Sequence, residues 1–393
     1  KYYDIKKNIN EFNNSEKKYK KHELKKSLFE SVESQLVSDV EIGTFLSGGI
    51  DSSLITSIAS KINPKIETFT IGFEEKNFDE STYAKKISEF LNLKNFCFTV
   101  QPKDLLKVVD NLSDIYTEPF ADSSQIPTSI LSNFASKRVK VALTGDGGDE
   151  MFLGYNRYIY YKKYKHILFC NNFIKNYLFN PILKILYFND KDKFQKIKKK
   201  LLNIKNIKTY YKSMIMEISE DIKIIRNLDQ SKFFNEDDSN FHDDYSYMQF
   251  LDLKYYLADD LLVKTDRASM YNSLETRAPF LNKKILEIAF NLDLKEKINH
   301  FEGKLILKNI LNEYLPKHLF ERPKKGFGVP ISKWFRADLN GWIRDIINSN
   351  FFDHLLDNEF YKQALNDHVS GKADNAQILW RYSIFHQWYL KNK

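Results

Sequence analysis

The sequence predicts an α/β protein: a doubly wound parallel sheet built around a glycine-rich loop and extended by a largely helical C-terminal part. Between residues 41 and 145, short apolar runs alternate with segments of helical periodicity, which is typical of a parallel sheet. Two glycine-rich turns directly follow apolar runs. Beyond residue 155 the strand signal disappears and helical periodicity remains.

The elements of the predicted sheet follow one another along the chain. Four apolar runs are predicted strands: residues 41–46 (EIGTFL), 66–73 (IETFTIGF), 95–100 (NFCFTV) and 139–145 (VKVALTG). The segments with helical spacing are residues 52–61, 102–116 and 123–137. Residues 158–247, rich in Lys, Tyr, Phe and Asn, are predicted to form helices with variable loops. Ligands of such sheets bind beyond the carboxyl ends of the strands, where both glycine-rich turns fall.

The bulk composition excludes several classes of protein. The net charge of +8 invites a nucleic-acid-binding function. Lysines are spread throughout the chain, however, and the basic run at residues 196–200 is predicted to be a solvated helix face. No stretch approaches the ~20 uninterrupted apolar residues of a membrane span, and two cysteines argue against a disulfide scaffold. We therefore expect a cytoplasmic protein that binds neither nucleic acid nor membrane.

The first glycine-rich turn, SGGIDSS at residues 47–53, joins a predicted strand to a predicted helix. This geometry points backbone N–H groups and the positive end of a helix dipole at an anion. Gly48 and Gly49 let a phosphate approach the backbone, while Ser47 and Ser52 offer hydroxyl donors. Asp51 would repel a bare phosphate but suits a Mg²⁺ ion that bridges phosphate oxygens. A helix-capping turn is the alternative, although a cap needs only one Ser or Asp.

The second glycine-rich turn, LTGDGGDE at residues 143–150, also follows a predicted strand. It carries three glycines and three carboxylates, and so many acids in one turn repel one another unless a cation lies among them. If both turns lie at one edge of the sheet, Asp51 and Asp149 can share the Mg²⁺ of a nucleotide. Thr144 and Gly145 would then line the nucleotide site.

The spacing Ser-Gly-Gly-x-Asp-Ser is the pyrophosphate-loop signature of N-type ATP pyrophosphatases, and it occurs here among other familiar blocks. Over nearly its whole length the chain resembles the synthetase domain of the glutamine-dependent asparagine synthetase family. Six blocks in the family's order carry the resemblance: FLSGGIDSS (45–53), EPFADSSQIPTSILS (118–132), LTGDGGDEMFLGY (143–155), LVKTDRASMYNSLETRAPFLN (262–282), GKLILKNIL (303–311) and RPKKGFGVPISKWFR (322–336). Thr144, often Ser in the family, and Leu153, often Gly, are mild departures.

The resemblance implies ATP-dependent activation of a carboxylate, with ATP and Mg²⁺ as cofactors. In the family, aspartate attacks the α-phosphate of ATP to give β-aspartyl-AMP and pyrophosphate, and ammonia then gives asparagine. The residues that match the pyrophosphate site are Ser47, Gly48, Gly49, Asp51 and Ser52. Those that match the adenosine pocket are Leu46, Ile71 and Gly145. Asp51 and Asp149 match the Mg²⁺ ligands, and Asp146 is the candidate base for the incoming amine.

Two cationic side chains complete the implied catalytic set. Lys304 matches a family lysine that stabilises charge on the reacting phosphate, and phosphoryl chemistry does require a placed cation. A solvated surface lysine is the alternative. Arg267 and Arg277 lie in a run of mixed charge and can either bind the substrate's carboxylate or pair internally. Of the two, we assign Arg267 to the catalytic set.

Three regions are predicted along the chain. Residues 1–25 resemble the linker that follows an N-terminal glutaminase domain, residues 26–160 form the nucleotide-binding region, and residues 161–393 form the helical remainder of the synthetase domain. Family members begin with a glutaminase whose N-terminal Cys releases ammonia from glutamine, and this sequence has no such Cys. We therefore expect the glutaminase elsewhere in the full-length protein or in a partner, and a homodimer stays open.

Three alternative functions stay open. A related amidotransferase or cyclase would apply the same ATP chemistry to a sugar acid, a peptide or a β-lactam precursor, and the shared blocks separate these poorly. A tRNA-modifying ATP pyrophosphatase would explain the positive charge, but the sequence lacks the aromatic–basic alternation of RNA-reading proteins. A nucleotide-binding relic without catalysis disagrees with the intact acidic residues of both turns and with Lys304.

Overall fold

A five-stranded parallel sheet organises the chain. The computed structural model describes residues 4–13, 18–75, 77–186, 198, 201–215, 241–322, 328–349 and 356–393. The strands are β1 Ile42–Phe45, β2 Glu67–Phe73, β3 Asn95–Val100, β4 Val141–Leu143 and β5 Glu275–Arg277. They lie in the order β3-β2-β1-β4-β5, and every pairing is parallel. The predicted parallel sheet is therefore confirmed.

The rest of the described chain is largely helical, as predicted for its C-terminal part. The α-helices span Ile5–Asn13, Lys21–Gln35, Ile50–Ile62, Ser81–Phe90, Pro102–Ile115, Gln125–Ala135, Gly148–Met151, Asn156–Leu168, Asn172–Leu186, Ile207–Ile215, Asp244–Leu251, Leu262–Tyr271, Lys283–Asn291, Leu294–Lys297, Leu305–Leu311, Ile331–Arg336, Asn340–Asn348, Asn358–Val369 and Ala376–Asn392. Two 3₁₀-helices span Pro279–Leu281 and Lys317–Leu319, and a π-helix spans Asp252–Leu261. None of the helices in the described ranges combines the length and the apolar character needed to cross a bilayer.

The four predicted strands are confirmed to within two residues at each end, whereas the sequence pattern does not predict β5. Its three residues, Glu275, Thr276 and Arg277, are polar and too few to show an alternating pattern. Pairing with β4 makes them a strand. The Glu275 N–H donates to the Lys140 carbonyl (2.9 Å), and the Thr144 N–H donates to the Arg277 carbonyl (2.8 Å).

Helices cover both faces of the sheet because successive strand residues point to opposite sides. Leu143 packs in one buried cluster with Leu54 of helix Ile50–Ile62, whereas its neighbour Ala142 packs in a second cluster with Ile126. Both clusters join residues from before and after position 160. The division of the chain at that position stays a prediction, and it does not separate two independently packed cores.

Two of the predicted regions are only partly described. Within residues 1–25, helix Ile5–Asn13 buries Ile9 in the first cluster, and the buried Tyr19 donates to Glu287. The assignment of this region as a linker stays a prediction. The described parts of residues 158–247 are largely helical. The basic run at 196–200 lies outside the described residues except for Lys198.

Candidate active site

The two glycine-rich turns meet at one edge of the sheet. Strands β1 and β4 are parallel neighbours, so the turns that follow them leave the sheet side by side. The strand order also reverses between β1 and β4, because β2 and β3 lie on one side and β5 on the other. Such a switch point opens a crevice beyond the carboxyl ends of the strands, where ligands of this fold class bind.

Hydrogen bonds between residues close in sequence stabilise the shape of the first turn. The Ser47 and Ser52 hydroxyls lie 3.1 Å apart, and the Gly49 N–H donates to Ser47 Oγ at 3.2 Å. Gly48 has a left-handed backbone (φ +77°), and a Cβ there would lie 2.8 Å from Tyr83 Cβ. The glycine at 48 is therefore required by the turn and by helix packing. Helix Ile50–Ile62 begins directly after Gly49, and the first residues of the helix, Ile50, Asp51 and Ser52, line the crevice.

The second turn packs directly against the first. A Cβ on Gly145 would lie 2.9 Å from both Asp51 Cβ and the Ser52 nitrogen, so only glycine allows this approach. The contact brings the carboxylates of Asp51 and Asp149, one from each turn, close to a single point between them. Lys304 lies at that point: its ammonium contacts Asp51 Oδ2 and is 2.6 Å from Asp149 Oδ1.

Lys304 is a buried, charged residue rather than the solvated lysine that was the alternative. Its residue exposure is 5%. Burial alone would lower the pKa of Lys304, but Asp149 and Asp51 outweigh burial and hold that pKa well above its ordinary value. Its backbone is left-handed (φ +56°), a conformation that non-glycine residues rarely adopt and that often marks functional sites.

The donor set of the two turns fits a Mg²⁺ ion bound together with a nucleotide. Asp51 and Asp149 already converge on a single cation, the Lys304 ammonium. Among the described residues, no group of three or more His, Cys, Asp or Glu side chains could hold a metal ion without further ligands. Mg²⁺ in phosphate-transfer sites is typically held by one or two carboxylates, with phosphates and water as its other ligands.

Two further acids of the second turn have perturbed ionisation. Burial raises the pKa of Asp146, whose carboxylate accepts a hydrogen bond from Thr144 Oγ1 at 2.9 Å. Burial also raises the pKa of Glu150 to about 8, and the charge of Asp149 adds to the rise. The Tyr155 hydroxyl donates to Glu150. Perturbed carboxyls of this kind are typical of catalytic clefts.

A cavity of about 1170 Å³ opens above the turns. The sequence-predicted residues that line it are Leu46, Ser47, Gly49, Asp51, Ser52, Ile71, Thr144, Gly145, Asp146, Asp149 and Lys304. Gly48 does not line the cavity and packs against Tyr83 instead. Arg267 is not brought to this cavity: it is exposed on helix Leu262–Tyr271 and does not line the pocket. Arg277 pairs internally with Glu275 (2.6 Å).

The cavity also has a second group of charged residues, which the sequence analysis did not predict as site residues. Lys264 Nζ donates to Asp122 Oδ2 (2.7 Å) and to Ser124 Oγ (2.8 Å), and all three residues line the cavity. Burial alone would raise the pKa of Asp122, but Lys264 and the bonds from Ser124 outweigh it, so the pKa is lowered. Burial raises the pKa of the neighbouring Asp260 to about 7, and the charge of Asp122 adds to the rise. We call Asp122, Ser124 and Lys264 the Lys264 wall.

Sequence reasoning also misses residues that support the turns. Arg322 lines the cavity, donates to Glu80 Oε1 (2.6 Å) and stacks 4.3 Å from the ring of Tyr83, the residue whose Cβ and backbone pack on Gly48. Lys264, Asp122 and Arg322 all lie within the quoted family blocks. The blocks were therefore the available signal, but no local pattern distinguishes these residues from surface charges.

A buried chain of hydrogen bonds stabilises the second turn. Gln249 donates from Nε2 to the carbonyls of Met151 (2.6 Å) and Glu150 (3.3 Å). Its Oε1 accepts from Lys297 Nζ at 3.2 Å, and Lys297 also donates to the Ala289 carbonyl at 2.9 Å. The lysine therefore fixes which end of the Gln249 amide faces the turn.

Comparison with known proteins identifies the family. The sequence model of the asparagine synthase family matches residues 23–390. The chain therefore belongs to the asparagine synthase family.

Individual relatives are similar over most of the chain. It is 30% identical over 390 residues to glutamine-hydrolyzing asparagine synthetase 1 of Bacillus subtilis (strain 168), covering 94% of this chain and 59% of the relative. It is 31% identical over 374 residues to a putative glutamine-hydrolyzing asparagine synthetase of Mycobacterium tuberculosis (strain ATCC 25618 / H37Rv), covering 92% of this chain and 56% of the relative. The chain thus spans less than two thirds of the length of these two relatives.

Proposed function

We propose that the chain catalyses ATP-dependent amidation of a carboxylic acid. The acid's carboxylate attacks the α-phosphate of ATP, the bond to the β-phosphate oxygen breaks, and pyrophosphate leaves. Ammonia then attacks the acyl carbon of the adenylate, loses a proton and expels AMP. The observation that carries the proposal is the convergence of Asp51, Asp149 and Lys304 from three separate segments at the mouth of a phosphate-type turn.

Each residue of the turns has a role that its chemistry supports. The N–H groups at the start of helix Ile50–Ile62 and the hydroxyls of Ser47 and Ser52 would bind the pyrophosphate part of ATP. A Mg²⁺ ion held by Asp51 and Asp149 would neutralise phosphate charge. Lys304 would stabilise the negative charge that develops on the α-phosphate and later on the acyl oxygen.

Asp146 is the proposed base for the ammonia step. A base works best when its pKa lies near the working pH, and burial raises the pKa of Asp146 toward that range. Its hydrogen bond from Thr144 orients the carboxylate, and both residues line the cavity that would hold the nucleotide. Leu46 and Ile71 supply the apolar surface there, since both are buried and line the cavity.

Aspartate is the acid that we propose, with asparagine as the product. The Lys264 wall presents an ammonium and a carboxylate side by side, and an amino acid's own carboxylate and ammonium would complement that pair. An acid without an amino group would complement the ammonium of the pair but not its carboxylate. We further propose that the ammonia comes from glutamine, hydrolysed by a glutaminase domain in the full-length protein or a partner, in keeping with the names of the relatives.

The test is pyrophosphate release by the purified chain with ATP, Mg²⁺ and an ammonium salt. Aspartate, N-acetylaspartate, a sugar acid and a short peptide are compared as acids, and mass spectrometry identifies the amide. We expect stimulation by aspartate, little by N-acetylaspartate, and asparagine with AMP as products. Stimulation by a different acid would contradict aspartate, and no release with any acid would contradict the amidation proposal.

A further inference from the structure

Lys304 occupies the place that the proposed reaction requires for a divalent cation. Its ammonium contacts Asp51 and lies 2.6 Å from Asp149, the two carboxylates that fit Mg²⁺. Both carboxylates are largely buried, with side-chain exposures of 16% for Asp51 and 22% for Asp149. The same pair of acids therefore has two competing cations, one of which is part of the chain.

An ammonium and a divalent ion would compete for this pair of acids. Like charges a few ångströms apart repel strongly in a partly buried site, because water screens them poorly there. With neither cation in place, the two carboxylates would repel each other for the same reason. The lysine therefore suits the ligand-free state of the turns, and the divalent ion suits the ligand-bound state.

We infer that Lys304 is an internal counter-ion that the incoming divalent cation displaces from Asp51 and Asp149. The inference rests on the proposed function in taking a metal-bound nucleotide as the incoming ligand. Displacement frees the ammonium into the cavity, where it could reach the α-phosphate of the bound nucleotide. The lysine thus becomes available for phosphate chemistry only after the metal has arrived, which couples the order of binding to catalysis.

The side chain can make this exchange without a change of backbone. The Lys304 N–H donates to the Phe152 carbonyl (3.1 Å), and the Lys304 carbonyl accepts from the Lys308 N–H (2.9 Å). These two bonds fix the left-handed backbone, so the movement uses only rotations of the flexible four-carbon stem. Lys304 itself lines the cavity, which gives the ammonium room on the ligand side.

Mn²⁺ binding to the nucleotide-free protein tests the inference directly. Free Mn²⁺ is measured by electron paramagnetic resonance for wild type, Lys304→Met and Lys308→Met. Lys308 is the matched control, because it lines the same cavity but pairs with Glu302. We expect Lys304→Met to bind Mn²⁺ about tenfold more tightly than wild type or more, because no competing charge has to leave.

A double variant identifies where the ion binds. Adding Asp149→Asn to Lys304→Met is expected to abolish the gain in Mn²⁺ affinity, because the ion then loses one of its two carboxylates. The inference is overturned if Lys304→Met binds Mn²⁺ no more tightly than wild type. It is equally overturned if Lys308→Met shows the same gain, since the effect would then reflect only net charge.

A second measurement uses wild type in case the Lys304 variant does not fold. Acetylation of lysines by acetic anhydride is followed by mass spectrometry with and without saturating Mn²⁺, in the absence of nucleotide. We expect the acetylation rate of Lys304 to rise severalfold and that of Lys308 to stay constant. An unchanged rate at Lys304 contradicts the inference. Neither measurement contains ATP or an acid, so either can fail while the pyrophosphate-release test succeeds, and the reverse.

Discussion

The two charged walls of the cavity hold their charges in different ways. At the turn wall (residues 46–52 and 144–149 with Lys304), two carboxylates share one ammonium, and in the proposed reaction they would also hold the metal of a nucleotide. At the Lys264 wall, one lysine and one carboxylate form a closed pair that Ser124 supports. The first wall thus has two carboxylates for one ammonium, and the second has one carboxylate for one ammonium.

This difference indicates a division of labour between the walls. The turn wall offers groups that any acyl-adenylate chemistry needs, and it would serve every acid equally. In the proposed reaction, the Lys264 wall would discriminate between acids by their own charges. Substitutions at the turn wall should therefore change the rate for all substrates, whereas substitutions at the Lys264 wall should change which acid is used.

The largest effect is expected at the carboxylates of the turn wall. Asp51→Asn and Asp149→Asn should each lower pyrophosphate release by roughly 10³-fold or more, because a lost metal ligand costs several kcal/mol as phosphate charge builds. The fold should persist, since Lys304 keeps the other carboxylate as its partner. Steady-state pyrophosphate release and circular dichroism check both statements. Near-normal turnover in either variant would remove the metal assignment.

Lys304→Ala should have the next largest effect and lower turnover by about 10²–10³-fold. A lysine directed at developing charge gains strength only in the transition state, so ATP affinity should hold or improve. Arg should rescue poorly, because a planar fork does not replace a compact ammonium. Calorimetric ATP binding beside pyrophosphate release makes the comparison. Equal losses in binding and rate would show that Lys304 acts in the ground state.

Behind the turn wall, Lys297→Met should change how stability depends on pH. Burial lowers the pKa of Lys297 from 10.5 to about 8. Between these values the unfolded state binds a proton that the folded state does not, so stability rises with pH through that window. Below pH 8 both states are protonated, and this gain is absent. The rise should total roughly 3 kcal/mol and vanish in the variant.

Urea unfolding from about pH 7.5 to about pH 10.5 measures this rise. Wild type and Lys297→Met are compared at each pH, because tyrosines and other lysines titrate in the same range. Lys295→Met is the control, since that lysine lies two residues away and its side chain is 83% exposed. Parallel curves for wild type and Lys297→Met would contradict the burial argument.

At the Lys264 wall, Lys264→Met should raise the KM for the acid by about tenfold or more, in keeping with the loss of a charged hydrogen bond. The KM for ATP should change little, because Lys264 belongs to the other wall. Lys308→Met, a cavity lysine paired with Glu302, serves as the control. An equal rise in the KM for the acid and the KM for ATP would contradict the proposed division of labour between the walls.

The smallest effect is expected at Arg267, the residue that joins neither wall. Because it is exposed and outside the cavity, Arg267→Ala should change kcat and KM by less than about twofold, as is usual for surface substitutions. Steady-state kinetics with each acid provide the measurement. A loss of tenfold or more would restore the sequence-based assignment of Arg267 to the substrate's carboxylate.

The turn wall could be predicted largely because its chemistry is local. Ser47, Gly49 and Ser52 bond to one another within five residues, so the turn is visible as a contiguous motif. The rest of the sheet was equally visible, because β1 to β4 lie in short segments rich in apolar residues that alternate with helical patterns. By contrast, β5 is three polar residues whose only strand signal is its pairing with β4. The role proposed for Lys304 was suggested by the family resemblance, since a single lysine carries no local pattern.

By itself, then, the sequence determined the parallel sheet, the two glycine-rich turns and the acids that they carry, because these depend on near neighbours and on the period of a strand. Only the tertiary structure decided which charges meet. Lys304 reaches Asp51 across 253 residues, and Lys264 reaches Asp122 across 142. The physical reason is that an ion pair depends on separation in space and on burial, and the folding of the whole chain fixes both.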